Sequence, residues 1–283
     1  MLKNKINNKK ILGKGIKIPY IIEFSIISRG TEKESSSQGY MAVTSSNSLG
    51  ERKLIPIPHG IKRTFEDFNS LDIKKRVSIE KIAFSRFQLI SAIMYKENKR
   101  LFKENKNEDI LVIGSGSVGF TTCMELFRQG HKKIFILTRK NKKVPKTIFQ
   151  KAYKSTLRQI NSINEVKKFN MIIDATGNSN VLKEIIANCN PFSNIFILGT
   201  PRKKPLINVL MIHRKNIRLI GCHEIIGITQ KERNELFDEL LKENGKYPDK
   251  LYKELIFMES YSKRNRKNIL RKSKNIINVM QYK

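Results

Sequence analysis

Acidic residues are scarce. The 283-residue chain holds 25 Asp and Glu against 56 Lys and Arg, a formal net charge of +31. It has no apolar run of about 18 residues, which excludes a transmembrane helix. Its first residues, MLKNKINNKKILGKG, are basic, but Lys17, Pro19 and Glu23 interrupt the apolar stretch that follows. Without a clean apolar region or a small-residue cleavage site, no secretory signal peptide is expected. Cysteine is rare too: Cys123, Cys189 and Cys222 form no C-x-x-C pair. That excludes a disulfide framework and fits a reducing cytoplasm, the expected location. With 39% hydrophobic residues the composition is that of a folded chain, long enough for one large or two modest domains.

The surplus of positive charge is spread along the chain. Residues 1–107 carry 22 basic and 10 acidic residues, 108–224 carry 20 and 7, and 225–283 carry 14 and 8. A dedicated nucleic-acid arm concentrates its charge, and no recognised nucleic-acid motif or dense alternation of aromatic and basic residues occurs. The lysines accompany a general richness in Asn and Ile, so a nucleic-acid partner is not expected. Two acid-free stretches remain notable. Residues 126–164 include Arg139, Lys140, Lys142, Lys143 and Lys146, and residues 260–274 include Lys263, Arg264, Arg266, Lys267, Arg271, Lys272 and Lys274.

Periodicity divides the chain. Strand-length apolar runs occur at Ile110–Ile113, Ile134–Leu137, Met171–Ile173, Ile195–Leu198 and Ile217–Ile220, with helical patterns at Val118–Arg128 and Asn180–Asn188 between them. Strands alternating with helices predict βαβ units and a parallel sheet covered on both faces. The first hundred residues show short β-like pieces (Tyr20–Ile27, Tyr40–Thr44, Lys53–Pro56) and few helical signals. The polar stretch 96–109 separates the two regions. The last sixty residues return to helix, most clearly at Lys231–Asn244.

Gly114-Ser-Gly116-Ser117-Val118-Gly119 follows one strand-like run and opens a helix. In that context the G-x-G-x-x-G spacing fits dinucleotide binding: Gly114 for the turn, Gly116 for close approach to a pyrophosphate, Gly119 for helix–strand packing. An S-adenosylmethionine methyltransferase uses a related turn. An NAD site or a methyltransferase calls for an acid at the end of the second strand, and none is present at Thr138-Arg139-Lys140. A threonine and two cations suit a ribose 2′-phosphate, with Arg139 able to hold it bidentately, so NADPH is the expected cofactor. The other reading of these cations is a solvated loop.

Phe169-Asn-Met-Ile-Ile-Asp174-Ala175-Thr176-Gly177-Asn178, Phe196-Ile-Leu-Gly199-Thr200-Pro201, the stretch His213–His223 and Leu241–Pro248 follow in an order that resembles the medium-chain dehydrogenase/reductase (alcohol dehydrogenase-like) family. The resemblance covers residues 108–250. It implies an α/β fold: a Rossmann doubly wound parallel sheet (108–224) joined to a smaller β-rich GroES-like catalytic domain (1–107, shortened), with 225–283 returning to the latter. It also implies that Thr176, Gly177, Gly199 and Thr200 face the cofactor, and a homodimer. Where zinc-dependent members carry cysteine, histidine and glutamate ligands, this chain resembles them with Arg29, Tyr40 and Met41 instead, and Ala83–Ser91 offers no ligand. No metal is therefore expected.

Without zinc, a side chain must protonate or polarise the substrate. Tyr40 is the first candidate donor, since it falls where the metal would be; the alternative is a core aromatic. His59, in the turn Ile57-Pro58-His59-Gly60, is the second. Arg29 is a candidate for binding an anionic substrate group, and Thr31 for fixing the loop or contacting the nicotinamide ribose. Cys222-His223-Glu224 reads as structural, because neighbours on a strand point to opposite faces. Tyr95 and Lys99 fit the Y-x-x-x-K of short-chain dehydrogenases, but precede the glycine turn, where that motif follows it, and read as coincidence. The expected function is NADPH-dependent, zinc-independent reduction of a carbonyl or activated double bond in a small, anionic or carrier-bound substrate. The alternatives are a dinucleotide fold that has lost catalysis and a basic nucleic-acid-associated protein.

Overall fold

The computed structural model describes residues 20–28, 41–45, 51–57, 61–65, 69–74, 76–138, 144–145, 147–201, 206–272 and 275–282. Five strands come first: β1 (Tyr20–Ile27), β2 (Met41–Ser45), β3 (Arg52–Pro56), β4 (Arg63–Thr64) and β5 (Leu71–Ile73). Two helices follow, α1 (Ile79–Glu97) and α2 (Lys99–Glu104). From there strands and helices alternate: β6 (Ile110–Ile113), α3 (Ser117–Arg128), β7 (Ile134–Leu137), α4 (Thr147–Tyr153), β8 (Arg158–Ile160), a 3-10 turn (Ile163–Lys168), β9 (Met171–Asp174), α5 (Ser179–Asn188), β10 (Asn194–Ile197), α6 (Val209–Lys215) and β11 (Arg218–Gly221). The chain closes with α7 (Gln230–Gly245), α8 (Asp249–Lys253), β12 (Ile256–Ser260), α9 (Lys263–Lys272) and β13 (Ile277–Gln281).

Strands β6 to β11 form one all-parallel sheet in the order β11-β10-β9-β6-β7-β8. Every residue of β6 and β9 is buried, as a sheet covered on both faces requires. Alternate side chains divide between two cores. Ile110, Val112, Met171 and Ile173 face one, while Leu111, Ile113 and Ile172 meet Leu182, Ile185 and Ile186 of α5 on the other. The strand order is that of a Rossmann sheet, and it reverses between β6 and β9. The remaining strands form a second, mixed sheet, β12-β13-β1-β2-β3-β5, with β4 also paired to β1 and only the β12–β13 pair parallel. The expected α/β fold class, a parallel Rossmann sheet with a separate β-rich unit, is the observed one, although among the described residues the mixed sheet holds seven strands against six and is not the smaller.

The local expectations fail at four places. The first hundred residues were expected to hold few helical signals, yet α1 runs for 19 residues. It is buried around most of its circumference, packing on α3, α7 and α8, so it lacks the one-sided apolar stripe that marks a surface helix. The polar stretch 96–109 holds α2, anchored by Phe102, which stacks on Tyr95 at 4.8 Å and on Phe196 at 4.9 Å. The polar β8 has no apolar run to announce it. In the last sixty residues, read as helical, β12 and β13 complete the mixed sheet.

A buried polar network fixes α1 between its neighbours. Gln88 donates to Glu125 Oε2 at 3.0 Å, Ser91 and Thr122 share a bond of 2.7 Å, and Asn244 donates to Ser85 at 2.8 Å and to Gln88 Oε1 at 2.9 Å. Tyr252 completes it by donating to Asn244 Oδ1 at 2.9 Å. Such groups are tolerated in a core because each finds a partner.

His131 stands in the same core, 2% exposed, its ring 5.8 Å from those of both Tyr95 and Phe102. Burial, and then the charge of Lys106, lower its pKa, so it stays neutral when folded. The unfolded chain takes up that proton first. Stability is therefore fully present above the unfolded value of about 6.5 and is lost as pH falls toward the lowered folded value, by up to about 1.4 kcal/mol per unit. Melting temperatures measured between neutral and mildly acid pH should fall less steeply in His131→Phe than in the parent. Parallel slopes would refute this assignment.

Candidate functional site

The strand-order reversal places the ends of β6 and β9 side by side, the usual location of a ligand crevice in an open α/β sheet. The glycine turn leaves β6 there. Gly114 has φ +104°, a conformation that side chains disfavour, and a Cβ on it would lie 3.0 Å from Thr176 Cγ2. A Cβ on Gly119 would lie 1.8 Å from the Gly114 carbonyl oxygen, so helix and turn are in contact. Gly116 differs from both. Its backbone is extended (φ −78°, ψ −172°), and a Cβ there would meet no atom within 4 Å. Among the described residues nothing demands glycine at 116, and the space in front of it is open. Gly116 is also the N-cap of α3, and no side chain caps that helix. Uncapped N–H groups and the positive end of the dipole face that space, which fits a pyrophosphate.

The other expected cofactor residues gather round this turn, with varied occupations. The Ser117 hydroxyl donates to the Ile276 carbonyl at 2.6 Å, tying the turn to the segment that enters β13. The Val118 carbonyl accepts the Thr122 hydroxyl at 2.8 Å. Asp174, 2% exposed, accepts at Oδ1 from the Thr176 N–H (2.8 Å) and hydroxyl (2.6 Å). Burial raises the Asp174 pKa, and the two bonds from Thr176 work against that rise. Its carbonyl accepts from the N–H groups of Leu198 and Gly199 at 2.9 and 2.8 Å. A Cβ on Gly177 would lie 2.2 Å from the Thr200 oxygen, and one on Gly199 would lie 2.4 Å from the Gly177 nitrogen. Thr176, Gly177, Gly199 and Thr200 thus form one layer of touching backbone beside Gly114.

At the end of β7, Thr138 is buried, accepts from Gln159 Nε2 at 2.9 Å and donates to Asn161 Oδ1 at 3.3 Å. Gln159 Oε1 also accepts from the Val144 N–H at 3.3 Å. Sequence reading missed Gln159 and Asn161, which lie on and just after the polar β8. Arg139 and Lys140, and also Arg29, Thr31, Tyr40 and His59, lie outside the described residues.

Met41, the position compared with a zinc-ligating glutamate, is a core residue of β2, and Ala83–Ser91 lies within α1. Glu224 pairs with buried Arg86 at 2.6 Å, while His223 Nδ1 accepts from the Ile225 N–H at 3.3 Å. Burial pushes the Cys222 thiol up to about 12, with Glu97 adding to the shift. Tyr95 and Lys99 lie on α1 and α2, with Tyr95 in the aromatic core. Among the described residues, no group of three or more His, Cys, Asp or Glu could hold a metal ion, and no helix is long and apolar enough to cross a membrane.

These features define a Rossmann-like parallel sheet built together with a mixed sheet. Residues 96–203 match the family model for shikimate / quinate 5-dehydrogenase. No curated protein matches the chain. Among solved structures it is similar to galactitol-1-phosphate dehydrogenase from Escherichia coli, with TM-score 0.69 and 10% identity over 95% of this chain and 94% of that one. It is also similar to E. coli K-12 YhdH with bound NADPH, with TM-score 0.68 and 13% identity over 97% and 94%. S. aureus TarJ in complex with NADPH gives TM-score 0.64 and 12% identity over 95% and 92%. At these identities the shared property is the two-sheet fold.

Proposed function

We propose that this chain is an NADPH-dependent oxidoreductase of the medium-chain dehydrogenase/reductase type. In this reading it reduces a carbonyl or an activated double bond of a small, anionic or carrier-bound substrate without zinc. The observation that carries it is the open, uncapped space at Gly116, set at the strand-order reversal of a Rossmann sheet. Two of the similar structures are described as holding NADPH, which agrees with it.

The α3 N-terminus would hold the pyrophosphate, the Thr176–Gly177 and Gly199–Thr200 loops would line the crevice, and Arg139 and Lys140 would bind the 2′-phosphate. NADPH, when bound, supplies hydride. The proton then has to come from this chain, and Tyr40 is the first choice, with His59 the second. Arg29 would hold an anionic group of the substrate, and Thr31 would fix its loop. The strongly positive surface favours anionic substrates.

Two experiments test this reading. Arg139→Ala should weaken NADPH binding at least tenfold and leave NADH binding unchanged, followed by nicotinamide fluorescence; equal effects on both nucleotides would remove the 2′-phosphate assignment. NADPH consumption with a set of aldehydes, ketones and enones should continue after treatment with a strong zinc chelator. Loss of turnover on chelation would overturn zinc independence.

A homodimer through the edge of the parallel sheet belongs to the same proposal. Strand β11 forms that edge, and beside it Leu206, Val209, Leu210 and Ile226 are 83%, 71%, 53% and 70% exposed. Exposed large apolar residues of this kind are common at interfaces. Sedimentation equilibrium should give a dimer for the parent and a monomer for Leu210→Glu. A monomeric parent would end this part of the proposal.

A further inference from the structure

The basic stretch of 260–274 becomes α9, and folding gives it neighbours that are distant in the sequence. Lys263, Arg264 and Lys267 are exposed. At 3.6 residues per turn they fall within an arc of about 100°, and the centre of that arc lies opposite Ile269. Among the described side chains of α9, Ile269 is the buried one, 2% exposed and packed with Ile27 and Met280. The cationic face thus points away from the protein. Among the described residues no ion pair involves these three cations, and α9 contains no acid that could pair with them internally. Like charges three and four residues apart repel on a helix, so the arrangement carries a cost that an anionic partner would remove.

Just before α9, Tyr261 donates its N–H to the Gln281 carbonyl and stacks on Tyr282, ring centroids 4.7 Å apart and planes 13° from parallel. Tyr282 lines an open cleft whose other wall is formed by exposed Lys62 and Arg63. The cleft lies where β13, paired with β1 from Phe24 onward, meets β4, paired with Tyr20 and Ile21. Backbone bonds from the Tyr282 N–H to the Glu23 carbonyl (2.9 Å) and from the Ile22 N–H to the Lys62 carbonyl (3.1 Å) hold its two sides to β1. Glu23 also lines it, but its carboxylate is bound by Arg52 at 3.1 Å. Folding therefore supplies the juxtaposition of aromatic and basic groups that the linear sequence lacks.

We infer that α9, the Tyr261–Tyr282 pair, Lys62 and Arg63 form a binding surface for single-stranded nucleic acid. Phosphates meet the cations and a base stacks on the tyrosine pair, the combination used by sequence-tolerant single-strand binders. An anionic membrane surface is the alternative partner for the cations, and the tyrosine pair, which offers a stacking surface for a base, favours nucleic acid. This inference does not depend on the oxidoreductase reading.

The test is fluorescence anisotropy of a labelled twenty-nucleotide oligo(U) and oligo(dT) at several salt concentrations. Binding is expected with a slope of log K against log salt of about −2 to −3, equivalent to three or four phosphate contacts. The triple variant Lys263→Glu/Arg264→Glu/Lys267→Glu should weaken it at least tenfold, and Tyr282→Leu at least fivefold, with Tyr282→Phe close to the parent. A control triple with the same charge change on other exposed lysines, Lys132→Glu/Lys167→Glu/Lys183→Glu, should lose less than threefold; melting temperatures verify that each variant is folded. No binding by the parent, or equal losses in the two triples, would overturn the inference. Binding to phosphatidylserine vesicles without binding to either oligonucleotide would overturn it in favour of a membrane.

Discussion

Gly116→Asp should abolish NADPH binding and leave the fold intact. The extended backbone at Gly116 suits any residue, and a Cβ there touches nothing within 4 Å. Aspartate is moreover a good N-cap, able to accept from an N–H group of α3 that no side chain now caps, so melting should hold steady or rise slightly. The same carboxylate would occupy the space assigned to the pyrophosphate and oppose its charge. A loss of at least a hundredfold in affinity, about 2.7 kcal/mol, is expected. Gly119→Ala acts in the opposite way. Its Cβ would sit 1.8 Å from the Gly114 oxygen, so helix and turn must separate, and stability itself should fall by about 3 kcal/mol or more. Thermal melting and NADPH titration of the two variants side by side give the comparison. If Gly116→Asp still binds NADPH tightly, the phosphate site lies elsewhere.

Glu125→Ala is expected to cause the largest loss of stability. Glu125 is fully buried, and Arg128 reaches its two oxygens at 2.7 and 2.8 Å while also pairing with Glu239 on α7 at 2.6 Å. Gln88 of α1 and Gln129 bind the same carboxylate at 3.0 and 2.8 Å. Arg128 loses water on burial, which lowers its pKa, but its bonds and charge contacts with Glu125 and Glu239 give a net rise; it stays charged. Removing Glu125 leaves that cation, only 13% exposed, with one outer partner, and leaves the Gln88 amide facing a gap. Losses of this kind run to about 3–5 kcal/mol. Chemical denaturation of Glu125→Ala and of Glu125→Leu/Arg128→Leu should show the double variant recovering most of the loss. If the single variant costs less than about 1 kcal/mol, the network does not fix α1 against α3.

Most of the parallel sheet was legible because β6, β7, β9, β10 and β11 carry short apolar runs, whereas the polar β8 was not. Ile110–Ile113 and Met171–Asp174 are buried on both faces, and that burial is written directly into their composition. The glycine turn was legible for a related reason, since Gly114 takes a positive φ and Gly119 presses on the Gly114 carbonyl five residues before it, demands that lie within the turn itself. Helix α1 was not. Once nearly every face is covered, no periodic stripe remains, and the polar residues Ser85, Gln88 and Ser91 that interrupt its apolar character have partners on α3 and α7, far off in sequence. The partners of Thr138 were hidden in the same way, because Gln159 and Asn161 reach it only through pairing of β7 with β8. Aromatic and basic groups looked unrelated along the chain for the same reason; Lys62 and Tyr282 share a cleft only through β1.

The central claim is that the Gly114–Gly119 turn binds the pyrophosphate of a nicotinamide dinucleotide. Titration of the unaltered protein with NADPH, followed by calorimetry, tests it most directly. The account predicts saturable binding of one NADPH per chain, in the micromolar range or tighter and stronger than NADH. Absence of saturable binding by either nucleotide would contradict it.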